Sequence, residues 1–319
     1  MQTIDMITFG EAMAMFIADS KGDLHTIENF HLELAGAETN VAIGLAKLGF
    51  NTSFVSKVGN DAFGKFIIQK LQKASVLVDE LHLDSQYPTG FQLKSQVAFG
   101  DPEVQYFRKG SAASQLHPND FNMDYFTQAK HLHMTGIPLA ISESTREFAQ
   151  TALSFMKSQK KTISFDTNLR PSLWKSEREM IDTINHFAKQ ADYVLPGIGE
   201  GKCLTGYETP QDIASFYLDA GVRTVIVKLG EEGAYYKTSQ ESGFIKGFKV
   251  ANIVDTVGAG DGFAVGVISG LLENLSVHEA VIRGNAIGAL AVQSLGDNTG
   301  YPTKNELNRY ITEYYEGVK

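Results

Sequence analysis

Strand-like and helical segments alternate along most of this 319-residue chain, and the alternation restricts the possible folds more than any other feature. The strand-like segments are MITFG, TSFVSKVG, HLHMTGI, TISFDTN, DYVLPG and VRTVIVKLG. Between them lie NVAIGLAKLGF, GKFIIQKLQKA, STREFAQTALSFMKSQ and REMIDTINHFAKQ, with apolar residues at helical spacing. This order predicts an α/β fold in which a mostly parallel sheet is covered by helices on both faces. The last third is predicted to be mainly helical, with FAVGVISGLLEN, HEAVIRGNAIGALAVQSLG and NELNRYITEYYEG as its helices.

Two regions do not follow the alternation. Residues 12–34 contain two extended segments around a turn at 20–23, and residues 88–110 have the pattern of a hairpin that turns at 100–103. We expect residues 1–319 to form a single domain. Within it, the two insertions are expected to form a small β-sheet over one end of the main sheet. Ligands of open α/β sheets bind at that end, so we hypothesise that the small sheet is a lid that excludes water.

The charge and composition exclude several classes of protein. A net charge of −9 argues against nucleic acid or an anionic membrane as the main partner, because both favour a basic surface. The start of the chain is interrupted by Asp5 and Glu11, unlike a signal peptide, and no uncharged apolar run approaches the roughly 18 residues of a membrane span. A single cysteine, Cys203, fits a reducing compartment. We therefore expect a cytoplasmic protein.

The segment VDTVGAGDGF, residues 254–263, is the strongest chemical signal in the sequence. If a helix begins near Ala259, its first backbone N–H groups have no partner in the helix and form an anion site suited to phosphate. We expect the helix dipole to keep the pKa of Asp261 low. An ionised Asp261 can accept a proton from a hydroxyl that attacks the phosphate, with Gly258, Ala259 and Gly260 stabilising the moving charge. The residues alone leave a plain helix-capping aspartate as the alternative.

Two other glycine patterns are weaker. Residues 59–65, GNDAFGK, match most of a phosphate-binding P-loop, but Phe66 stands where a Mg²⁺-binding hydroxyl is required. The pairs Gly258/Gly260 and Gly197/Gly199 are fragments of a dinucleotide fingerprint without its third glycine. Neither pattern favours its usual function here.

VDTVGAGDGF resembles the second signature of the ribokinase-like (PfkB) carbohydrate kinases. Three further stretches resemble that family in the correct order: AGAETNVAIGLAKLG (35–49), VGNDAFG (58–64) and VKLGEEGAYY (227–236). Ala35 departs from a usual glycine. The resemblance covers nearly the whole chain and implies an αβα sandwich with a β lid, ATP as phosphoryl donor, Mg²⁺, and Asp261 as catalytic base.

Within the family, YFRKGSAAS (106–114), FDTNLRPSLW (165–174) and GDNTGYP (296–302) are most similar to 2-keto-3-deoxygluconate kinases. This resemblance implies phosphorylation of the C6 hydroxyl of a sugar acid. The sugar contacts that it implies are Gly36, Asn40, Tyr106, Arg108, Arg170 and Asp297, with Gln92 also placed at the sugar. The nucleotide contacts that it implies are Asn168, Lys228, Gly230, Gly233 and Asn285, together with Gly258 and Gly260.

A sugar acid needs a cation for its carboxylate, and two arginines are candidates. Arg108 ends the predicted hairpin and Arg170 follows a predicted strand, and a guanidinium pairs a carboxylate at two points. The alternatives are a solvated turn for Arg108 and an ion pair with Asp166 for Arg170.

The sequence departs from the family pattern at two positions. Gln92 stands where the acid kinases usually have tyrosine, and Gly197 begins the segment that usually starts with asparagine, although its Glu200 is retained as a candidate Mg²⁺ residue. A surface role for Glu200 stays open, as do a neutral-sugar kinase such as a fructokinase and a non-catalytic sensing module. We also expect a homo-oligomer, because a lid with exposed strand edges favours pairing between subunits.

Overall fold

The computed structural model describes residues 3–96 and 102–317; part of the predicted turn at 100–103 therefore lies outside the described residues. The strands are β1 Ile4–Phe9, β2 Met13–Lys21, β3 Phe30–Ala35, β4 Thr52–Gly59, β5 Leu81–Asp84, β6 Phe91–Gln96, β7 Val104–Phe107, β8 Ala129–Thr135, β9 Thr162–Asp166, β10 Tyr193–Val194, β11 Thr224–Lys228, β12 Gly233–Thr238 and β13 Ser242–Lys246. The helices are α1 Ala37–Lys47, α2 Ala62–Lys73, α3 Met123–Thr127, α4 Ile137–Ile141, α5 Glu143–Ser158, α6 Glu177–Ala188, α7 Ile198–Thr205, α8 Pro210–Asp219, α9 Ala259–Leu272, α10 Val277–Ala291 and α11 Lys304–Gly317. Each segment that the alternation predicted corresponds to one of these elements.

The main sheet has nine strands in the order β13-β12-β11-β10-β9-β8-β1-β4-β5. The strands from β11 to β5 pair in parallel, and β12 and β13 add an antiparallel hairpin at one edge. Successive residues of β11 point to opposite faces, so Val225 and Val227 enter one apolar core and Ile226 the other. The fold class predicted from the alternation, a mostly parallel sheet between two helical layers, is confirmed.

Helices α1, α2, α9, α10 and α11 cover one face of the sheet, and α5, α6, α7 and α8 cover the other. Helix α9 is buried on nearly all sides because glycines let α10 approach it closely; a Cβ on Gly266 would lie 2.4 Å from the backbone of Arg283. This packing fixes the position of the N-terminus of α9. No helix of residues 3–96 and 102–317 combines the length and hydrophobicity that a membrane span requires.

The two insertions form a small sheet of four strands in the order β3-β2-β6-β7. Strands β2 and β6 pair in parallel, whereas the two outer pairings are antiparallel. In the register of the last pair, Gln92 lies opposite Tyr106 and Lys94 opposite Val104. Since side chains alternate along a strand, Gln92 and Lys94 share one face, and both line a cavity against the body of the protein.

Candidate active site

The glycine turn is the N-terminus of α9, as its sequence predicts. Gly258 is the cap residue with φ of 84°, and a Cβ at this position would lie 1.9 Å from the carbonyl oxygen of Asp297, so only glycine fits. The first backbone bond of the helix runs from Gly262 N–H to Gly258 O at 2.8 Å. The N–H groups of Gly260 and Asp261 precede this bond and have no acceptor within the helix. They form an anion cradle.

Asp261 lies in the first turn of α9, between two asparagines. Asn40 Nδ2 donates to Asp261 Oδ2 at 2.8 Å, and Asn168 Nδ2 is 3.4 Å from Oδ1. Asn298 Nδ2 donates to the amide oxygen of Asn40 at 2.9 Å, which fixes the orientation of that amide. Burial raises the pKa of Asp261 to about 7 although the Asn40 hydrogen bond lowers it. The expected low pKa is therefore wrong, because desolvation outweighs the helix dipole.

Two cavities meet at the beginning of α9. The first, of about 570 Å³, lies between the small sheet and the body, and we call it the small-sheet cavity. The second, of about 750 Å³, lies beside β12 and β13, and we call it the hairpin cavity. Lys228, Thr256 and Gly260 line both cavities. The arrangement therefore accommodates two ligands whose ends meet beside Asp261.

The structure distributes the predicted residues between these cavities. The small-sheet cavity is lined by Gly36, Asn40, Gln92, Tyr106, Arg108, Asn168, Arg170, Glu200, Gly258, Asp261 and Asp297. The hairpin cavity is lined by Gly230, Gly233, Ala259 and Asn285 in addition to the shared residues. Asn168, which the family resemblance grouped with the nucleotide contacts, thus lies on the other side, beside Asp261.

The two candidate arginines have different surroundings. Arg108 is paired with Glu11, a fully buried residue that the sequence analysis named only as a charge near the start of the chain, with Nε 2.6 Å from Oε2. Ser111 Oγ also donates to Glu11. Arg170 donates to the carbonyl of Leu169 at 2.8 Å and forms no salt bridge with any residue in 3–96 or 102–317. Arg170 is therefore the cation that is free for a ligand.

One alternative for Arg170 was an ion pair with Asp166, and the structure does not show this pair. The Asp166 carboxylate instead binds Lys228 Nζ at 2.7 and 2.8 Å, joining the carboxyl ends of β9 and β11. Asp166 raises the pKa of Lys228 even though burial opposes that change, so the ammonium stays charged at the junction of the two cavities. A Cβ at Gly260 would lie 3.7 Å from this ammonium. The cation therefore adjoins the anion cradle.

Glu200 is held inside the site and is not a surface acid. Its oxygens accept from the backbone N–H groups of Gly197 and Leu169 and from the hydroxyl of Thr167, each at 2.7 Å. Burial acts to raise its pKa, but Lys228 and these hydrogen bonds lower it overall, so Glu200 is ionised at neutral pH. Three of about four acceptor positions on the carboxylate are used within the protein.

Sequence reasoning missed two further charged residues of the small-sheet cavity. Glu38, in α1, is fully buried; burial raises its pKa to about 7, and Thr135 donates to one of its oxygens. Lys94 reaches from β6 to Asp255 and Asp297. The helical pattern of α1 gave no sign that Glu38 points inward, and the carboxylate partners of Lys94 lie more than 150 residues away in sequence.

Comparison with known proteins agrees with this geometry. Residues 3–304 match the profile of the pfkB family carbohydrate kinases. The chain belongs to the pfkB family. A 2-dehydro-3-deoxygluconokinase of Bacillus subtilis (strain 168) is 52% identical over 310 residues, which cover 97% of this chain and 96% of the relative. A 2-dehydro-3-deoxygluconokinase of Thermoproteus tenax is 32% identical over 314 residues, covering 97% and 94%.

Solved structures of family members share the fold. A PfkB protein from Polaromonas sp. JS666 has a TM-score of 0.89 and 46% identity, covering 96% of this chain and 99% of that one. A putative ribokinase II from E. coli, in complex with ATP and Mg²⁺, has a TM-score of 0.90 and 26% identity, covering 97% and 99%. The ribokinase-like fold inferred from the motifs is thereby confirmed for this pfkB member.

The weaker glycine pattern at 59–65 has a structural role. Asp61 caps α2 by accepting from Gly64 N–H at 2.8 Å, and its carboxylate also accepts from the backbone and hydroxyl of Thr89, where the chain enters the small sheet. None of these residues lines either cavity. The turn therefore positions the small sheet and does not bind phosphate in the manner of a P-loop.

Proposed function

We propose that this pfkB family member is an ATP-dependent kinase that phosphorylates the C6 hydroxyl of 2-keto-3-deoxygluconate, also called 2-dehydro-3-deoxygluconate. The observation that carries the proposal is the meeting of two cavities at the anion cradle of α9, with Asp261 on the side of the small sheet. The kinship with two 2-dehydro-3-deoxygluconokinases supports the choice of sugar acid.

We place ATP in the hairpin cavity and the sugar acid in the small-sheet cavity. Glycines of the hairpin, Gly230 and Gly233, leave space for the nucleotide, and the γ-phosphoryl group lies at the shared wall formed by Lys228 and Gly260. The oxygen of the C6 hydroxyl attacks the γ-phosphorus while its proton passes to Asp261. The bond to the β,γ-bridging oxygen breaks and ADP leaves with the electron pair. The backbone N–H groups of the cradle, from Gly260 and Asp261, and the Lys228 ammonium stabilise the charge on the transferred group, and Gly258 and Ala259 form the turn that presents these donors.

Glu200 is the residue that we assign to Mg²⁺. Its oxygens already accept three hydrogen bonds, so the ionised carboxylate suits hydrogen bonds from waters on the metal better than direct ligation. Held in this manner with ATP, Mg²⁺ would neutralise phosphate charge. This role fits the preference of Mg²⁺ for phosphate oxygens and retained waters.

The sugar carboxylate is assigned to Arg170. Arg108 already forms a salt bridge with the buried Glu11, whereas Arg170 forms no salt bridge among the described residues. Arg108 and Tyr106, which belong to the small sheet and the segment after it, then contact hydroxyl groups of the sugar acid. The small sheet closes over the sugar. Exclusion of water matters, because hydrolysis of ATP is the competing reaction.

A cytoplasmic homo-oligomer stays a prediction. Strand β7 forms an edge of the small sheet, and its Tyr106 and Phe107 are each nearly half exposed, which suits pairing with a second copy. Light scattering during size-exclusion chromatography tests this expectation; a monomer at micromolar concentration would contradict it.

The rate of ADP release from ATP, measured with each sugar of a panel, tests the function. The purified chain is assayed with ATP, with and without Mg²⁺, on 2-keto-3-deoxygluconate, its galactonate epimer, fructose and ribose. We expect Mg²⁺-dependent turnover with the highest kcat/KM for one of the two acids. Preference for fructose or ribose would identify a neutral-sugar kinase, and no turnover of any sugar would favour a sensing module.

A further inference from the structure

Lys94 connects the small sheet to the body inside the site. It lies on β6 and is 3% exposed, and its Nζ is 2.7 Å from Asp255 Oδ2 and 3.1 Å from Asp297 Oδ1. Both aspartates belong to the body, and both are buried. One ammonium from the small sheet therefore forms ion pairs with two carboxylates of the body.

These two aspartates belong to the segments that shape the anion cradle. Asp255 accepts from the backbone N–H of Val257 at 3.1 Å and is 3.4 Å from that of Gly296, so it ties the turn before α9 to the 296–298 segment. The carbonyl of Asp297 lies directly against Gly258, where it leaves no room for a Cβ. A shift of either segment would move the N–H groups of the cradle.

We propose that Lys94 is a positioning residue whose ammonium holds these two segments together, so that the cradle is complete only when the small sheet is seated on the body. The proposal rests on the kinase function proposed above. Without the ammonium, two buried carboxylates are left near each other with no cation between them, and they repel. The segments that carry them then separate, and the phosphoryl group loses its aligned donors. Seating of the small sheet over the sugar is in this way coupled to phosphoryl transfer.

A second ion pair between small sheet and body provides a matched control. Lys70 of α2 pairs at 3.2 Å with Glu33 of β3, an edge strand of the small sheet, and both side chains are about 40% exposed. This pair lines neither cavity. Lys70→Ala therefore removes a lysine that joins the same two parts of the molecule without disturbing the cradle.

The test compares Lys94→Ala with Lys70→Ala, using the sugar that the wild type phosphorylates fastest. We expect Lys94→Ala to lower kcat by about 100-fold, the order of loss that a displacement of about 1 Å causes, with KM for ATP within about threefold of wild type. Propylammonium, which replaces the deleted part of the side chain, should restore at least about tenfold of kcat, whereas propanol should not. Lys70→Ala should keep the wild-type kcat and show no response to propylammonium.

Hydrogen–deuterium exchange provides a readout that does not depend on activity. The amides of residues 255–262 should exchange faster in Lys94→Ala than in the wild type, and at the wild-type rate in Lys70→Ala. If Lys94→Ala does not fold, Lys94→Met keeps most of the side-chain bulk without the ammonium and should show the same local exchange and low kcat. An unchanged kcat, a loss without rescue by propylammonium, or unchanged exchange at 255–262 would overturn the proposal. If the wild type phosphorylates no sugar but Lys94→Ala still exchanges faster than the wild type at 255–262, the kinase function alone would be refuted.

Discussion

The hairpin cavity and the small-sheet cavity share one wall but are built in different ways. The hairpin cavity is lined by five glycines and by apolar side chains such as Phe248, Ile253 and Phe263, and all of its lining residues lie between 228 and 292. The small-sheet cavity is surrounded by charged side chains whose partners come from distant segments: Arg108 with Glu11, and Lys94 with two aspartates. The difference indicates that one cavity is built from a single stretch of the chain, whereas the other depends on ion pairs between distant segments.

These ion pairs leave few charges of the small-sheet cavity free to bind a ligand. A buried ion pair stabilises little in total, but removal of one partner leaves an uncompensated charge. Arg108 and Lys94 therefore preserve the shape of the cavity, whereas Arg170 and Asp261 are available for the sugar. Variants at these positions can break or sharpen the comparison.

The largest effect is expected at the wall that the cavities share. Asp261→Asn removes the proton acceptor and should lower kcat by roughly 10²- to 10⁴-fold. Binding of ATP, measured by calorimetry, should remain within a few-fold because the hairpin cavity is unchanged. Wild-type turnover by this variant would show that Asp261 is a capping residue without a role as base.

The two arginines should separate binding from stability. Arg170→Met removes a free cation, so kcat/KM for the sugar acid should fall by about 10- to 100-fold with little change in melting temperature, since charge-assisted hydrogen bonds contribute about 1.5–3 kcal/mol each. Arg108→Met leaves Glu11 buried without its cation, so it should also destabilise the protein, by about 3–5 kcal/mol. Kinetics and thermal unfolding of both variants measure the contrast. Equal destabilisation by both substitutions would refute the distinction.

The pH dependence should follow from the raised pKa of Asp261. The base acts when deprotonated, so kcat/KM should fall as the pH drops below about 7, tenfold per pH unit at the acid limit. Asn40→Ala removes the hydrogen bond that lowers this pKa and should move the midpoint to higher pH. Glu38 has a similar pKa, so Glu38→Gln is the control and should leave the midpoint unchanged. A midpoint that disappears in Glu38→Gln would reassign the titration.

Local sequence patterns predicted the secondary structure around the site better than its long-range contacts. The strand–helix alternation and the glycine turn before Asp261 are local patterns, and both were confirmed as structure. The edge hairpin β12–β13 and the helices α7 and α8 were not predicted: the two strands and α7 are short and contain glycine, and α8 is a ten-residue helix that begins at Pro210. The local pattern also gave the wrong direction for the pKa of Asp261, since burial depends on the packed neighbours.

Charged pairs across the small sheet could not be predicted from one sequence. Glu11 and Arg108 are 97 residues apart, and Lys94 and Asp297 are 203 apart, so no local spacing connects them. The motif around Arg108 located the residue but not its partner. Assignment of Arg108 and Arg170 as equivalent cations was the natural result, and the structure distinguishes them by the presence of Glu11.

The smallest expected effect concerns Glu38, which closes the wall of the small-sheet cavity. Its pKa is raised from 4.5 to about 7 in the folded protein, so folding favours the protonated form. The stability that this form contributes is complete below about pH 4.5 and is lost as the pH rises to about 7. Gln resembles the protonated acid in shape and polarity. Glu38→Gln should therefore match the wild-type melting temperature near pH 4.5 and exceed it by roughly 2–5 °C at pH 8.

Thermal unfolding of both proteins across this pH range measures the difference. Asp255→Asn is a useful comparison, because that carboxylate has a cation, Lys94, beside it and its loss should lower the melting temperature at pH 8. Opposite signs for the two substitutions would show that a carboxylate with a cation beside it, Asp255, stabilises the fold, whereas Glu38, which has none, costs stability when ionised. A Glu38→Gln variant that is less stable than wild type at pH 8 would mean that the ionised carboxylate has a stabilising partner, contrary to the isolation of Glu38 Oε2 among the described residues.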